Sequence, residues 1–151
     1  MSAETFAAGA GQALAMSADA LASIERHGAE TYPHECCGAL LESNGVVVAT
    51  HSLANTTDGP AARRFLVGPN EYRRAEAWAR EQGGTLAGFY HSHPDHPARP
   101  SQTDLENAWP NFVYVIVSVA SGTPRDVTCW RLREDRSAFD QGDLRTWRTE
   151  S

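Results

Sequence analysis

The chain has 151 residues, of which 41% are hydrophobic, enough for one ordinary globular domain around one core. A formal net charge of −6 and a pI near 5.4 argue against phosphate backbones and anionic lipid as main partners, because both reward clustered positive charge. All thirteen basic residues are arginine, and their one local concentration, Arg63, Arg64, Arg73 and Arg74, reads as a solvated face beside a helix.

Residues 1–16 are rich in Ala and Gly, and no Arg or Lys precedes Arg26, so the positive start of a secretory signal is missing. No apolar run approaches the length of a membrane span. Residues 1–16 are therefore expected to be a flexible extension, with residues 17–151 as the domain and a cytoplasmic location. Ser17 as N-cap, followed by Leu21, Ile24 and His27, predicts an amphipathic helix to about Ala29, stopped by Tyr32-Pro33. Cys37 to Glu42 and Val46 to His51 read as strands joined at Ser43-Asn44-Gly45, since Asn-Gly is a strong hairpin signal. Residues 55–62 form a polar loop that could serve as a flap, and Arg64 to Val67 reads as a short strand.

Pro69-Asn70 opens a helix through about Gln82, with Tyr72, Ala75, Trp78 and Ala79 on its apolar side and Gly83-Gly84 as its stop. Thr85 to His93 is a strand. Ser101 and Asp104 have the spacing of a capping box, with a helix continuing through Leu105 to Trp109 until Pro110. Phe112 to Ala120 reads as a strand buried on both faces, residues 121–124 as a turn, and Val127 to Arg133 as a strand with Val127, Cys129 and Arg131 on one face. Interleaved elements of both types predict an α/β or α+β fold, a mixed sheet flanked by helices. Cys36, Cys37 and Cys129 are odd in number, and Cys36 and Cys37 are adjacent, so a reducing interior and a role as small buried hydrophobes suit them.

The chemistry concentrates between Gly88 and Asp104. His91 and His93, two apart on a strand, project from one face and can share an ion. Imidazole nitrogens suit zinc, and a catalytic zinc takes three protein ligands and keeps a fourth position for water. Asp104 is the best third ligand, because a helix starting at Ser101 carries it back toward the end of the strand; Pro94, Pro97 and Pro100 stiffen the return. His96 is a spare ligand, ranked behind because it lies in mid-loop. Such a site still needs a carboxylate base and a donor to the developing oxyanion.

The run His91-Ser92-His93-Pro94, then Ser101 and Asp104, resembles the signature of the JAMM (MPN-plus) metalloproteases, His-x-His, seven residues, Ser, two residues, Asp. Tyr32-Pro33-His34-Glu35-Cys36-Cys37-Gly38 is similar to the upstream segment that carries that family's glutamate. The likeness runs from about Ser17 to Phe139, and is strongest to small stand-alone bacterial members. It implies a cytidine-deaminase-like MPN architecture with zinc on His91, His93 and Asp104. It further implies Glu35 as general base toward a zinc-activated water and Ser101 as oxyanion donor, with Ser92 structural. The implied reaction is hydrolysis of a peptide or isopeptide bond after the C-terminal Gly-Gly of a ubiquitin-like or sulfur-carrier protein, with no nucleic acid or membrane as partner. The alternatives are a peptidase of this fold acting on cell-wall or phage-tail peptides, a non-catalytic zinc-binding or scaffold module, and a relative associated with DNA repair, which the acidic charge counts against. His34 is expected to cap the preceding turn, and His27 and His51 to be surface or partly buried.

Overall fold

The computed structural model describes residues 13–55 and 67–147. In chain order these form β1 (Ala13–Ser17), α1 (Ala18–Thr31), β2 (Cys37–Ser43), β3 (Val46–Leu53), α2 (Pro69–Glu81), β4 (Thr85–Pro94), α3 (Gln102–Asn107), β5 (Val113–Ala120), β6 (Thr123–Leu132), β7 (Phe139–Gln141) and β8 (Asp143–Trp147). The strands make one mixed sheet in the order β7-β6-β5-β4-β2-β3-β1-β8. A mixed sheet with helices packed on its faces is the predicted class. Among the described residues no helix is long and apolar enough to cross a membrane.

Local chemistry sets the elements. Ser17 Oγ accepts from the Ala20 N–H at 3.1 Å, so α1 starts at its expected cap, and Ala20, Ile24 and Gly28 form its buried stripe. Asn44 and Gly45 both have positive φ, 54° and 82°, as a tight hairpin turn of right-handed twist demands. β4 and β5 are parallel neighbours, so the chain must cross over between them, and α3 lies on that crossover. The first turn of α3 therefore returns to the C-terminal end of β4.

The sheet divides the core in two. On the α1 side Met16, Ile24, Leu40, Tyr90 and Val115 are buried together; on the α2 side Ala75, Phe89 and Tyr114 are buried, with Tyr72, Trp109 and Phe112 packed on them. Val113 to Val119 is buried along its whole length, as an apolar run flanked by strands and covered on both faces requires.

Several expectations change. Leu14 and Met16 are core residues of β1, so residues 13–16 belong to the folded domain and not to the expected extension. Strand β1 was hidden because Ala13–Ser17 gains its ladder from β8, far away in sequence. The β5–β6 turn is confined to Ser121 and Gly122, both at positive φ, and Thr123 and Pro124 already belong to β6. Pro124 pairs only with β5, whereas β7 joins β6 at Trp130 to Leu132, so its missing N–H faces no strand. Helix α3 stops at Asn107. The expected strand at residues 64–67 falls largely outside the described residues, as does most of the loop at residues 55–62.

Gly88 sits on β4 opposite Val113, and a Cβ there would overlap the Val113 carbonyl. Because the obstacle is paired backbone, Gly88→Ala should lower stability by about 3 kcal/mol. Urea unfolding reads the change, and an unchanged midpoint would contradict the β4–β5 pairing.

Candidate metal centre

The site stands where β4 ends. The antiparallel register pairs Cys37 with His91, and Ser92 N–H donates to the Cys36 carbonyl at 3.1 Å, which carries Glu35 to the level of His93. Ser92 turns away from the imidazoles and accepts the Cys36 N–H on its Oγ at 2.9 Å. This side-chain bond fastens the start of β2, and with it Glu35, to the strand that holds the histidines. Asn55 Nδ2 donates to the Glu35 carbonyl at 3.4 Å from the other side.

His91 and His93 do share a face, and their Nε2 atoms lie 3.1 Å apart. Asp104 Oδ2 is 3.2 Å from His91 Nε2 and 3.1 Å from His93 Nε2. Three atoms bound at 2.0–2.1 Å to one tetrahedral ion would stand about 3.3 Å from each other, so the triangle already has nearly the spacing of three zinc ligands. His93 Nδ1 lies 2.8 Å from the Pro97 carbonyl. A carbonyl can only accept, so Nδ1 carries the proton and the neutral ring presents the Nε2 lone pair to the triangle. All three residues are buried, as is Glu35.

Asp104 is held by its own helix. Its backbone N–H donates to Ser101 Oγ at 3.0 Å, and Ser101 N–H donates to Asp104 Oδ2 at 2.9 Å. This capping box uses aspartate where Glu or Gln is usual. Ser101 Oγ thus accepts from the helix, while its hydroxyl proton remains able to donate outward. Burial would raise the Asp104 carboxyl, but His91, His93 and the Ser101 amide outweigh it and hold the group far below the ordinary carboxylate range. Burial lowers the His91 pKa against the pull of Asp104. A carboxylate ligand and an imidazole biased toward its neutral form suit a cation.

Glu35 completes the set. One of its carboxylate oxygens and one ring nitrogen each of His91 and His93 all lie within 4.8 Å of one another, and Glu35 Oε1 has no hydrogen-bond partner among the described residues. Burial pushes its carboxyl up to about 8, a rise that His93 opposes and Asp104 reinforces. The described cluster contains no cysteine; burial pushes the Cys36 thiol up to about 11 and the Cys37 thiol up to about 12, and Cys37 donates its thiol to the Leu53 and Ala54 carbonyls at 3.6 Å.

An open cleft of about 310 Å³ leads to these groups, lined by Glu35, His93, His96, Pro97, Arg99 and Ser101. His96 is exposed and lies outside the triangle, in keeping with its lower rank. The return segment is fixed by more than its prolines. Asp95 accepts from Tyr32 Oη at 2.6 Å and from the Ser121 N–H at 2.8 Å, and the Ala98 carbonyl accepts from Thr128 Oγ1 at 2.7 Å. Sequence reasoning missed Asp95, the Pro97 carbonyl and Arg99. An aspartate directly after Pro94 in a proline-rich loop was the available signal for the first, which the structure places at positive φ, and nothing local pointed to the others. His27 Nδ1 meets Tyr90 Oη at 2.7 Å and His51 stacks on Trp78, so both are structural; His34 is exposed, and its backbone N–H donates to the Thr31 carbonyl.

The model of prokaryotic homologs of the JAB domain matches residues 17–133. A desampylase from Haloferax volcanii is 36% identical over 112 residues, 70% of this chain and 80% of that protein. The tail tip assembly protein K of Escherichia phage N15 is 32% identical over 82 residues, 54% of this chain and 31% of that protein. Among solved structures, a protein from Salinibacter ruber is 47% identical with a TM-score of 0.67, covering 85% of this chain and 88% of that one. A protein from Desulfitobacterium hafniense (24% identical, TM-score 0.74, covering 89% and 93%) and a JAB1/MPN domain protein from Archaeoglobus fulgidus (17% identical, TM-score 0.56, covering 93% and 99%) share the fold.

Removing the Ser92 hydroxyl leaves the buried Cys36 N–H without its acceptor. Ser92→Ala should cost about 1–3 kcal/mol in urea unfolding and speed amide hydrogen exchange at Cys36. Unchanged exchange at that amide would show that Ser92 does not fasten β2.

Proposed function

This chain belongs to the family of prokaryotic homologs of the JAB domain and is a JAMM-type hydrolase; within that class we propose a zinc metallopeptidase that cleaves after the C-terminal Gly-Gly of a ubiquitin-like or sulfur-carrier protein. The observation that carries the reading is the triangle of His91 Nε2, His93 Nε2 and Asp104 Oδ2 beside a buried carboxylate, Glu35. His91, His93 and Asp104 would hold the zinc. When bound, it supplies a Lewis acid that polarises the scissile carbonyl and lowers the pKa of water to about 7.

Glu35 does the proton work. Its carboxylate takes a proton from the attacking water and returns it to the nitrogen of the leaving group as the C–N bond breaks. Burial in the fold favours a carboxyl that both accepts and gives up a proton near neutral pH, and a nearby cation would shift it back toward the ionised form. Ser101 donates its hydroxyl proton to the oxyanion that develops on the scissile carbonyl, steadied by the Asp104 N–H that its oxygen accepts. Pro97 keeps His93 in the tautomer that offers Nε2.

The substrate class draws support from the relative named desampylase, which this chain matches over most of its length. A Gly-Gly tail can lie extended in a narrow cleft, where main-chain hydrogen bonds supply affinity without side-chain pockets. The tail-tip relative is the basis of a second reading, a peptidase of the same chemistry acting on other peptides.

Metal analysis should find about one zinc per chain, lost in His91→Ala and in Asp104→Ala. Full zinc in both variants would overturn the ligand assignment. Glu35→Gln should keep its zinc and lose turnover of a Gly-Gly-linked substrate by roughly 10²–10⁴-fold. Near-normal turnover would place the base elsewhere.

A further inference from the structure

We propose that Arg99 is a specificity residue that pairs with the free α-carboxylate of the leaving residue, so that removal of a C-terminal residue is favoured over cleavage of a lysine isopeptide. The inference rests on the hydrolase reading above and narrows the leaving group that it admits. Arg99 shares the lining of the active cleft with Glu35, His93 and Ser101, the groups assigned to the chemistry. It is exposed, and no described residue forms an ion pair or hydrogen bond with its guanidinium. Arg74, Arg133 and Arg145, by contrast, each meet a carboxylate of their own chain.

The backbone beneath Arg99 is held on both sides. Its N–H donates to the Pro97 carbonyl at 2.8 Å, the preceding Ala98 is buried with its carbonyl bonded to Thr128, and Pro100 follows. A fixed backbone lowers the entropy lost when the side chain engages a ligand. Arg99 and Ser101 also border a second cleft, lined by Leu105, Trp130 and Phe139, so Arg99 is shared by the two.

Charge decides what it would meet. A net charge of −6 repels an anionic leaving group unless a cation offsets it. Before the scissile bond a Gly-Gly tail carries no side-chain charge. After it, a single released residue carries a carboxylate on the very carbon that bears the scissile nitrogen. A lysine isopeptide instead places that nitrogen at the end of a four-carbon stem, with its own carboxyl committed to peptide linkage. Arginine's planar fork matches a carboxylate through two parallel hydrogen bonds.

The test uses a ubiquitin-fold carrier ending in Gly-Gly and extended by one alanine, made as the free acid and as the C-terminal amide. A third substrate joins the same tail to the Nε of a doubly blocked lysine. The wild-type protein should favour the acid over the other two by roughly 10- to 100-fold in kcat/KM. Arg99→Gln should lose that preference through a higher KM for the acid alone, with amide turnover and zinc content unchanged, and Arg99→Lys should restore part of it. No acid preference in the wild type, or an equal loss on acid and amide in Arg99→Gln, would overturn the role of Arg99. If the zinc-loaded wild type cleaves none of the three, the carrier-hydrolase reading itself fails, and this inference with it.

Discussion

One oxygen atom, Asp104 Oδ2, joins the fold to the site. It accepts the Ser101 N–H that starts α3 and, at 3.1–3.2 Å, faces both imidazoles at the end of β4. The bond that begins the crossover helix is therefore also the bond that aims the carboxylate. A buried, ionised carboxylate is expensive unless fully partnered, and here the helix cap and the imidazoles, or an ion between them, supply that partnership. The same economy applies to Ser101, whose oxygen caps the helix while its proton stays available to a substrate.

The second constraint is the sheet register. β2 and β4 are antiparallel, and their ladder is extended at its end by the mutual bonds of Ser92 and Cys36. Sliding β2 by one residue would turn Glu35 to the opposite face, so the position of Glu35 is fixed by backbone pairing and not by contacts of its own side chain. Tyr90 supports this register from the α1 side: its ring occupies the space that a Cβ on Gly38 would need, and its hydroxyl meets His27. The site is thus mounted on two central strands and one helix start, with only the proline segment as loop. Rigid mounting of this kind suits chemistry that depends on placing a base and a donor about a single carbonyl.

Much of this was legible in sequence because the signals were local. Ser17, Asn44-Gly45 and the Ser101–Asp104 pair each fix a structure within a few residues of themselves, and His-x-His on a strand needs only the period of two. Glu35 was not legible on those terms. It lies more than fifty residues upstream of its partners, and only the family resemblance singled out what would otherwise read as an exposed carboxylate before a strand. β1 and β8 escaped notice for a related reason, since each owes its ladder to pairing across most of the chain's length. Arg99 carried no motif at all; its neighbours in the cleft come from β2, β4 and the start of α3.

The central claim is that Asp104, and not Glu35, joins the two histidines in binding the metal, leaving Glu35 to move protons. Zinc-edge X-ray absorption on the wild-type protein and on Glu35→Gln tests this most directly. The account predicts the same nitrogen and oxygen neighbours at about 2.0–2.2 Å in both proteins. Loss of an oxygen neighbour in Glu35→Gln would make Glu35 a ligand and would contradict it.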